Sequence, residues 1–318
     1  MTNTERDTAP TLCERHTTAE RWRAWPARVS TLGAGLTIER ALPQKALRLI
    51  GSWCFLDHIG PVSFAGDVKG VDVGSHPHIG LQTVTWLLEG EMLHKDSLGY
   101  EQVIRPGQLN LMTAGHGISH SEESPEGRSA GLHGVQFWIA LPKEDADCAP
   151  AFEHHASVPS VALDTLDLHL VVGEWQGHRS PAAVRSPLVG AELVAREAGD
   201  ARVPLETGFE HGLMLLQGTA RIDGEPMQAG TLYHASPGCQ ELALTLSADA
   251  RLFLLGGEPV TESLLLWWNF VGRSTEEIRQ AREDWIHQDR PDGRFGQVSA
   301  YQGGRLPVPD LAPDVRLK

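Results

Sequence analysis

From Ala27 onward the apolar residues of this chain come in short runs, each broken by Gly, Pro, Asp or Asn before it reaches helical length. Leu36-Thr-Ile38, Thr83-Val-Thr-Trp-Leu-Leu88, Gln102-Val-Ile104 and Gln136-Phe-Trp-Ile-Ala-Leu141 are examples, and turn signals such as Arg105-Pro-Gly107 separate them. Runs of that length suit strands. Many short strands must close into a barrel or stack as a sandwich, because only then are their edges and apolar faces covered. The 33 glycines and 20 prolines among 318 residues suit the same reading, and the length is worth roughly two domains. The fold class expected is all-β.

Several boundaries follow. Residues 1–26 mix Thr, Glu and Arg without periodicity and read as a loose lead-in. A first barrel is expected over 27–145, and a polar, Pro-bearing stretch from Pro142 to about Pro159 reads as a linker. A second barrel then occupies 146–270. Its Gly212-Leu-Met-Leu-Leu-Gln-Gly218 followed by Gln228-Ala-Gly230 echoes Trp86-Leu-Leu-Glu-Gly90 followed by Arg105-Pro-Gly107, as a weak internal duplication would. Residues 271–318 form a helix and an arm. Ser274 and Glu277 have capping-box spacing, and Ile278, Ala281 and Trp285 recur on one helical face.

Composition also excludes some roles. A net charge of −14 repels a phosphate backbone, so direct nucleic-acid binding is not expected. The longest apolar runs, such as Ser263 to Val271, fall short of a membrane span, and the N-terminus carries no apolar leader core. Cys13, Cys54, Cys148 and Cys239 form no CxxC pair and suit reduced thiols in a cytoplasmic protein.

Chemistry concentrates in two pairs. Gly74-Ser-His-Pro-His78 places imidazoles at i and i+2, which point to one face of an extended segment. Pro77 between them biases His76 toward that extended conformation. His120 and Glu122 repeat the spacing 42 residues after His78. Two such pairs on neighbouring strands supply three imidazoles and a carboxylate to one point, a donor set that suits iron, copper, nickel, zinc or manganese. The candidate ligands are His76, His78, His120 and Glu122. The competing reading is that these histidines merely satisfy core hydrogen bonds, which serves for any one of them better than for the set.

The residues also resemble a family. Gly74 to Gly90 is similar to the first cupin motif, and Pro106-Gly107 through His120 to the second. More narrowly, Phe55-Leu-Asp-His-Ile-Gly-Pro61, His76-Pro-His78, Leu87-Leu-Glu-Gly90, His94-Lys-Asp-Ser97, Met112-Thr-Ala-Gly115 and Gly117-Ile-Ser-His-Ser-Glu122 occur in the order found in pirins. The resemblance implies two tandem cupin domains, Fe(II) in the first on the four candidate ligands, and no metal in the second. It implies a quercetin 2,3-dioxygenase-like reaction, in which dioxygen opens a flavonol-type aromatic and Glu122 is the base. The alternative it carries is an iron-binding, redox-sensing regulatory protein acting through a protein partner. One departure stands out: where the general cupin motif has an acid, this chain has Gln82 or Thr83, so the carboxylate must come from Glu122.

Other residues divide between roles. His94 is expected either to support a ligand from behind or contact a substrate, or else to satisfy a barrel hydrogen bond. His116 is read as a solvent-facing loop residue and His133 as structural. Trp86, Trp138 and the pair Trp267-Trp268 are read as packing. Glu210-His211, His234 and Glu241 of the second block lack the i,i+2 pairing and predict no second metal site.

Overall fold

The computed structural model describes residues 21–32, 35–64, 70–287 and 293–311. Its strands pair antiparallel and build two barrels in tandem, each from one large and one small sheet. In the first barrel the small sheet runs Asp72–His78, Ile118–Glu123, Met92–Asp96, Glu101–Ile104. The centre of its large sheet is Leu81–Glu89, Gly131–Ala140 and Trp53–Ser63. The second barrel repeats the plan with an eight-stranded and a four-stranded sheet.

The two large sheets pack face to face, which explains why their sequences read as continuous apolar runs. In Leu81–Glu89, Leu81 and Leu87 face the first barrel's interior, while Val84, Trp86 and Leu88 enter a core shared with the second barrel. Phe137, Leu111 and Trp53 meet Phe253, Met214 and Leu255 there. A side chain of this size contributes about 1.5–3 kcal/mol when fully buried, so the joint is a principal core of the molecule. Hydrogen bonds cross it from Trp86 Nε1 to Glu192 at 3.0 Å and from Trp53 Nε1 to the Gly256 carbonyl, and Arg251 of the second barrel donates to the same Glu192 carboxylate at 2.7 Å. Strands on the outer sheet instead alternate: Ala201 and Val203 are buried while Asp200 and Arg202 are exposed. That difference is expected when only one face of a sheet is covered.

The barrels also exchange edges. Arg23–Pro26, at the end of the expected lead-in, pairs with Thr231–Ala235 of the second barrel; residues 1–20 lie outside the described residues. Within the stretch read as a linker, Ala151–His155 pairs with Leu109–Thr113 of the first. Polar composition hid this strand because it lies at a sheet edge.

The helix Thr275–Ile286 starts where the spacing predicts, with Ser274 Oγ accepting from the Glu277 amide and Ile278, Ala281 and Trp285 buried. Beyond it, residues 293–311 cross the outer face of the first barrel's small sheet. Leu306 N donates to the Ser75 carbonyl at 2.8 Å, Ser119 Oγ to the Phe295 carbonyl at 3.1 Å, and Lys95 Nζ to the Ala300 carbonyl. Phe295 is stacked parallel to Phe270 and meets Trp285 edge-on.

Because the joint belongs to both barrels, they are expected to unfold together. Phe137→Ala should cost about 3–5 kcal/mol, read as a lower midpoint in a single denaturant transition. A split into two transitions, with the second barrel's midpoint unmoved, contradicts a shared core.

Candidate metal centre

His76 and His78 lie on Asp72–His78, and His120 lies on Ile118–Glu123, which pairs with it so that His120 stands opposite His76. Period-two alternation turns all three inward, while Ser75 and Ser119 point to the arm. A register shift between His120 and Glu122 adds a residue to the Asp72–His78 strand. It lets Val73 and His76, three apart, both face the interior. The imidazoles form one layer across the barrel, between an apolar cluster around Ile59 and Leu87 and another around Phe55 and Met112.

All three rings are fully buried, and one nitrogen from each lies within 4.8 Å of the others. Their orientation is set from behind. His76 Nδ1 donates to the Gly74 carbonyl at 2.8 Å and His78 Nδ1 to the Asn269 carbonyl at 3.1 Å. His120 Nδ1 lies 3.3 Å from His94 Nδ1, and His94 Nε2 lies 3.0 Å from Asp96 Oδ2. His94 Nε2 donates to that carboxylate and its Nδ1 accepts, so His120 also carries its proton on Nδ1. Every Nε2 then presents a lone pair inward.

That arrangement is unfavourable without a cation. His78 Nε2 and His120 Nε2 stand 3.1 Å apart as two acceptors, and His76 Nε2 is buried without a hydrogen-bond partner. A buried acceptor left unmade costs about 1–3 kcal/mol. Burial pushes the His76 imidazole down to about 3 and holds His78 and His120 well below the ordinary value, with neighbouring imidazoles adding to the effect. Protonation therefore does not relieve the clash of lone pairs, and the donor set fits a divalent metal.

Glu122 is buried on the same strand as His120 and stands opposite His94 in the register. Its carboxylate lies outside the tight set of three nitrogens. Gln136 Nε2 donates to Glu122 Oε1 at 2.6 Å and also to Thr85 Oγ1 at 3.1 Å. Trp138 meets His78 edge-on at 5.1 Å, and Phe55 stacks on Trp138 at 3.9 Å. Phe152 stacks on His94 at 4.3 Å.

Other candidates resolve individually. His94 lies between His120 and Asp96, within hydrogen-bond reach of both. Gln82 points away from the centre, bonding Thr113 Oγ1 and the Ala183 carbonyl. His116 is exposed and its Nδ1 donates to the Cys148 carbonyl. His133 is structural, 2.9 Å from His58 Nε2 at the joint. Trp86 packs in that joint, and Trp267 and Trp268 pack against the helix and arm. Sequence reasoning missed Asp96, although it repeats the i,i+2 spacing with His94. It also missed Gln136 and the Asn269 carbonyl; the latter reaches His78 from 191 residues away, at the turn of the hairpin Leu265–Trp267/Phe270–Gly272.

Two antiparallel barrels, a three-histidine centre in the first that could bind a metal, and a helix after the second define a bicupin. Family models agree: that for pirin matches residues 35–139, and that for the pirin C-terminal cupin domain matches residues 191–291. A Pseudomonas aeruginosa protein named "putative quercetin 2,3-dioxygenase" is 46% identical over 286 residues, covering 90% of this chain and 89% of its own. A pirin-like protein of Caulobacter vibrioides is 36% identical, covering 90% and 94%. The crystal structure of a quercetin 2,3-dioxygenase from Acinetobacter baumannii is 45% identical with a TM-score of 0.88, covering 93% and 98%. The chain belongs to the pirin family.

Two outcomes follow from this geometry. His94→Phe keeps the stacking on Phe152 but removes support from His120, and should weaken metal binding about 10–100-fold in a chelator competition; unchanged affinity contradicts the relay. The metal-free protein should lose stability as pH falls from about 6.5 toward 3, because the unfolded histidines bind protons there and the buried ones do not. A melting temperature that stays level from pH 7 to 4 contradicts this assignment.

Proposed function

We propose that the chain is an iron-dependent dioxygenase that opens a flavonol-type aromatic with dioxygen. The observation that carries this reading is the layer of three neutral, buried imidazoles whose Nε2 lone pairs converge, with a buried carboxylate beside them. The names of the relatives at 45–46% identity supply the substrate class. His76, His78 and His120 would hold the metal, and Glu122 would be the fourth ligand. Iron(II) is the metal that the pirin resemblance implies. When bound, it supplies Lewis-acid and redox chemistry toward a vicinal hydroxyl–carbonyl pair and dioxygen.

The rest is the work of this chain's side chains. Glu122 accepts the flavonol hydroxyl proton, a role that a buried carboxylate fills when its geometry is fixed. Gln136, itself held by Thr85, fixes Oε1 of that carboxylate. Asp96 and His94 keep the His120 ring from rotating, and the Asn269 carbonyl does the same for His78. Trp138, Phe55 and Met112 give the centre an apolar wall that an aromatic ring matches better than a sugar or a phosphate does. All of these groups are buried, and burial strengthens each of these polar interactions.

Protein loaded anaerobically with Fe(II) should consume quercetin and dioxygen in equal amounts and release carbon monoxide. Glu122→Gln, if it retains iron, should lower kcat by about 10²–10³-fold. Fully loaded wild-type protein that leaves quercetin intact sinks the assignment. Capture of a protein partner only in the ferric state, with no turnover, favours the redox-sensing alternative instead.

A further inference from the structure

The second barrel has a polar group that its packing does not explain. Along Glu210–Gln217, residues His211, Leu213 and Leu215 face the barrel interior, while Gly212 and Met214 face the joint. Glu210 points away and accepts from the Gly51 amide at 2.8 Å. An imidazole thus occupies a position equivalent to those filled by leucine farther along the same strand. His211 has no exposed surface, and neither ring nitrogen has a hydrogen-bond partner. Burial lowers its pKa to about 4, so the ring is neutral at neutral pH.

Room has been kept for that ring. Gly256 stands directly opposite His211 in the strand register, and a Cβ there would meet Val189 Cγ1 at 2.8 Å and His211 Cδ2 at 3.0 Å. Above it lies a cavity of about 940 Å³, with His211 among its lining and Trp175, Phe209, Leu188, Val189 and Leu254 as apolar walls. One side is formed by residues 173–189, and this wall is fastened down. Ser180 Oγ donates to the Val171 carbonyl, Ala183 N to Glu153, and Gln82 of the first barrel to the Ala183 carbonyl. The volume lies within the range of small-molecule sites, about 300–1,000 Å³.

The lining selects among ligands. A single neutral imidazole cannot hold a metal by itself, and the described residues contain no second histidine or carboxylate cluster with ligand spacing. No buried charge faces the cavity to offset a desolvated carboxylate or phosphate. The charged residues of the lining are exposed at its rim, where Arg179 is engaged with Glu174, Arg185 lies 4.0 Å from Asp145 and Glu206 adds a carboxylate. Aromatic walls with one neutral donor–acceptor group fit an uncharged ring compound with one hydroxyl directed inward. We propose that the second barrel is a binding site for an uncharged, hydroxyl-bearing aromatic, whose hydroxyl pairs with His211. This site is separate from the metal centre and does not depend on the reaction assigned to it.

The test uses 2-naphthol and naphthalene as probes of the metal-free full-length protein. 2-Naphthol should shift the His211 ring resonances in nitrogen-15 NMR spectra. His211→Leu should weaken 2-naphthol about tenfold, the worth of one buried hydrogen bond, and leave naphthalene binding unchanged. The wild-type spectra stand whether or not that variant folds. Failure of 2-naphthol to bind, His211 resonances that stay still at saturation, or equal loss of both probes overturns the proposal.

Discussion

Three imidazole lone pairs face one another in a buried layer of the first barrel, and much of the surrounding structure serves to hold them there. Two nitrogens that both accept, 3.1 Å apart, repel unless a cation lies between them. Each ring is prevented from turning away by its Nδ1 proton, committed to Gly74, Asn269 or the His94–Asp96 pair. Burial removes protonation as an escape, because a charged imidazole in that layer would lose its hydration without gaining a partner. A divalent metal would pair all three lone pairs at once, which is why the donor set fits one.

Holding the rings in this way takes distant parts of the chain. The Asn269 carbonyl comes from a hairpin that follows the second barrel, and the arm fastens the outward residues Ser75 and Ser119. Both depend on the second barrel being fixed to the first, which the shared core around Phe137, Trp86 and Phe253 achieves. The second barrel therefore contributes to the metal centre without supplying a ligand side chain. Its own cavity and unpaired His211 give it a separate chemistry.

Much of this was legible in the sequence. Strand-length runs separated by glycine and proline gave the all-β class, and i,i+2 spacing placed His76, His78 and His120 on inward faces of neighbouring strands. The helix start at Ser274 was legible because capping is local. What stayed hidden was long-range. No local pattern shows that Asn269 reaches His78, or that Arg23–Pro26 and Ala151–His155 complete sheets. His211 was passed over because its neighbour Glu210 faces the opposite way, so the pair offers no shared ligand face. Only tertiary structure reveals that it lacks a partner.

We propose that the three histidines of the first barrel share one metal. X-ray absorption at the metal edge, with metal content measured on the same sample, tests it most directly. One metal per chain with the multiple-scattering signature of three imidazoles is the expected result, abolished when His76, His78 and His120 are all replaced by alanine. A metal that persists in the triple variant, or a wild-type spectrum with one imidazole or none, would contradict it.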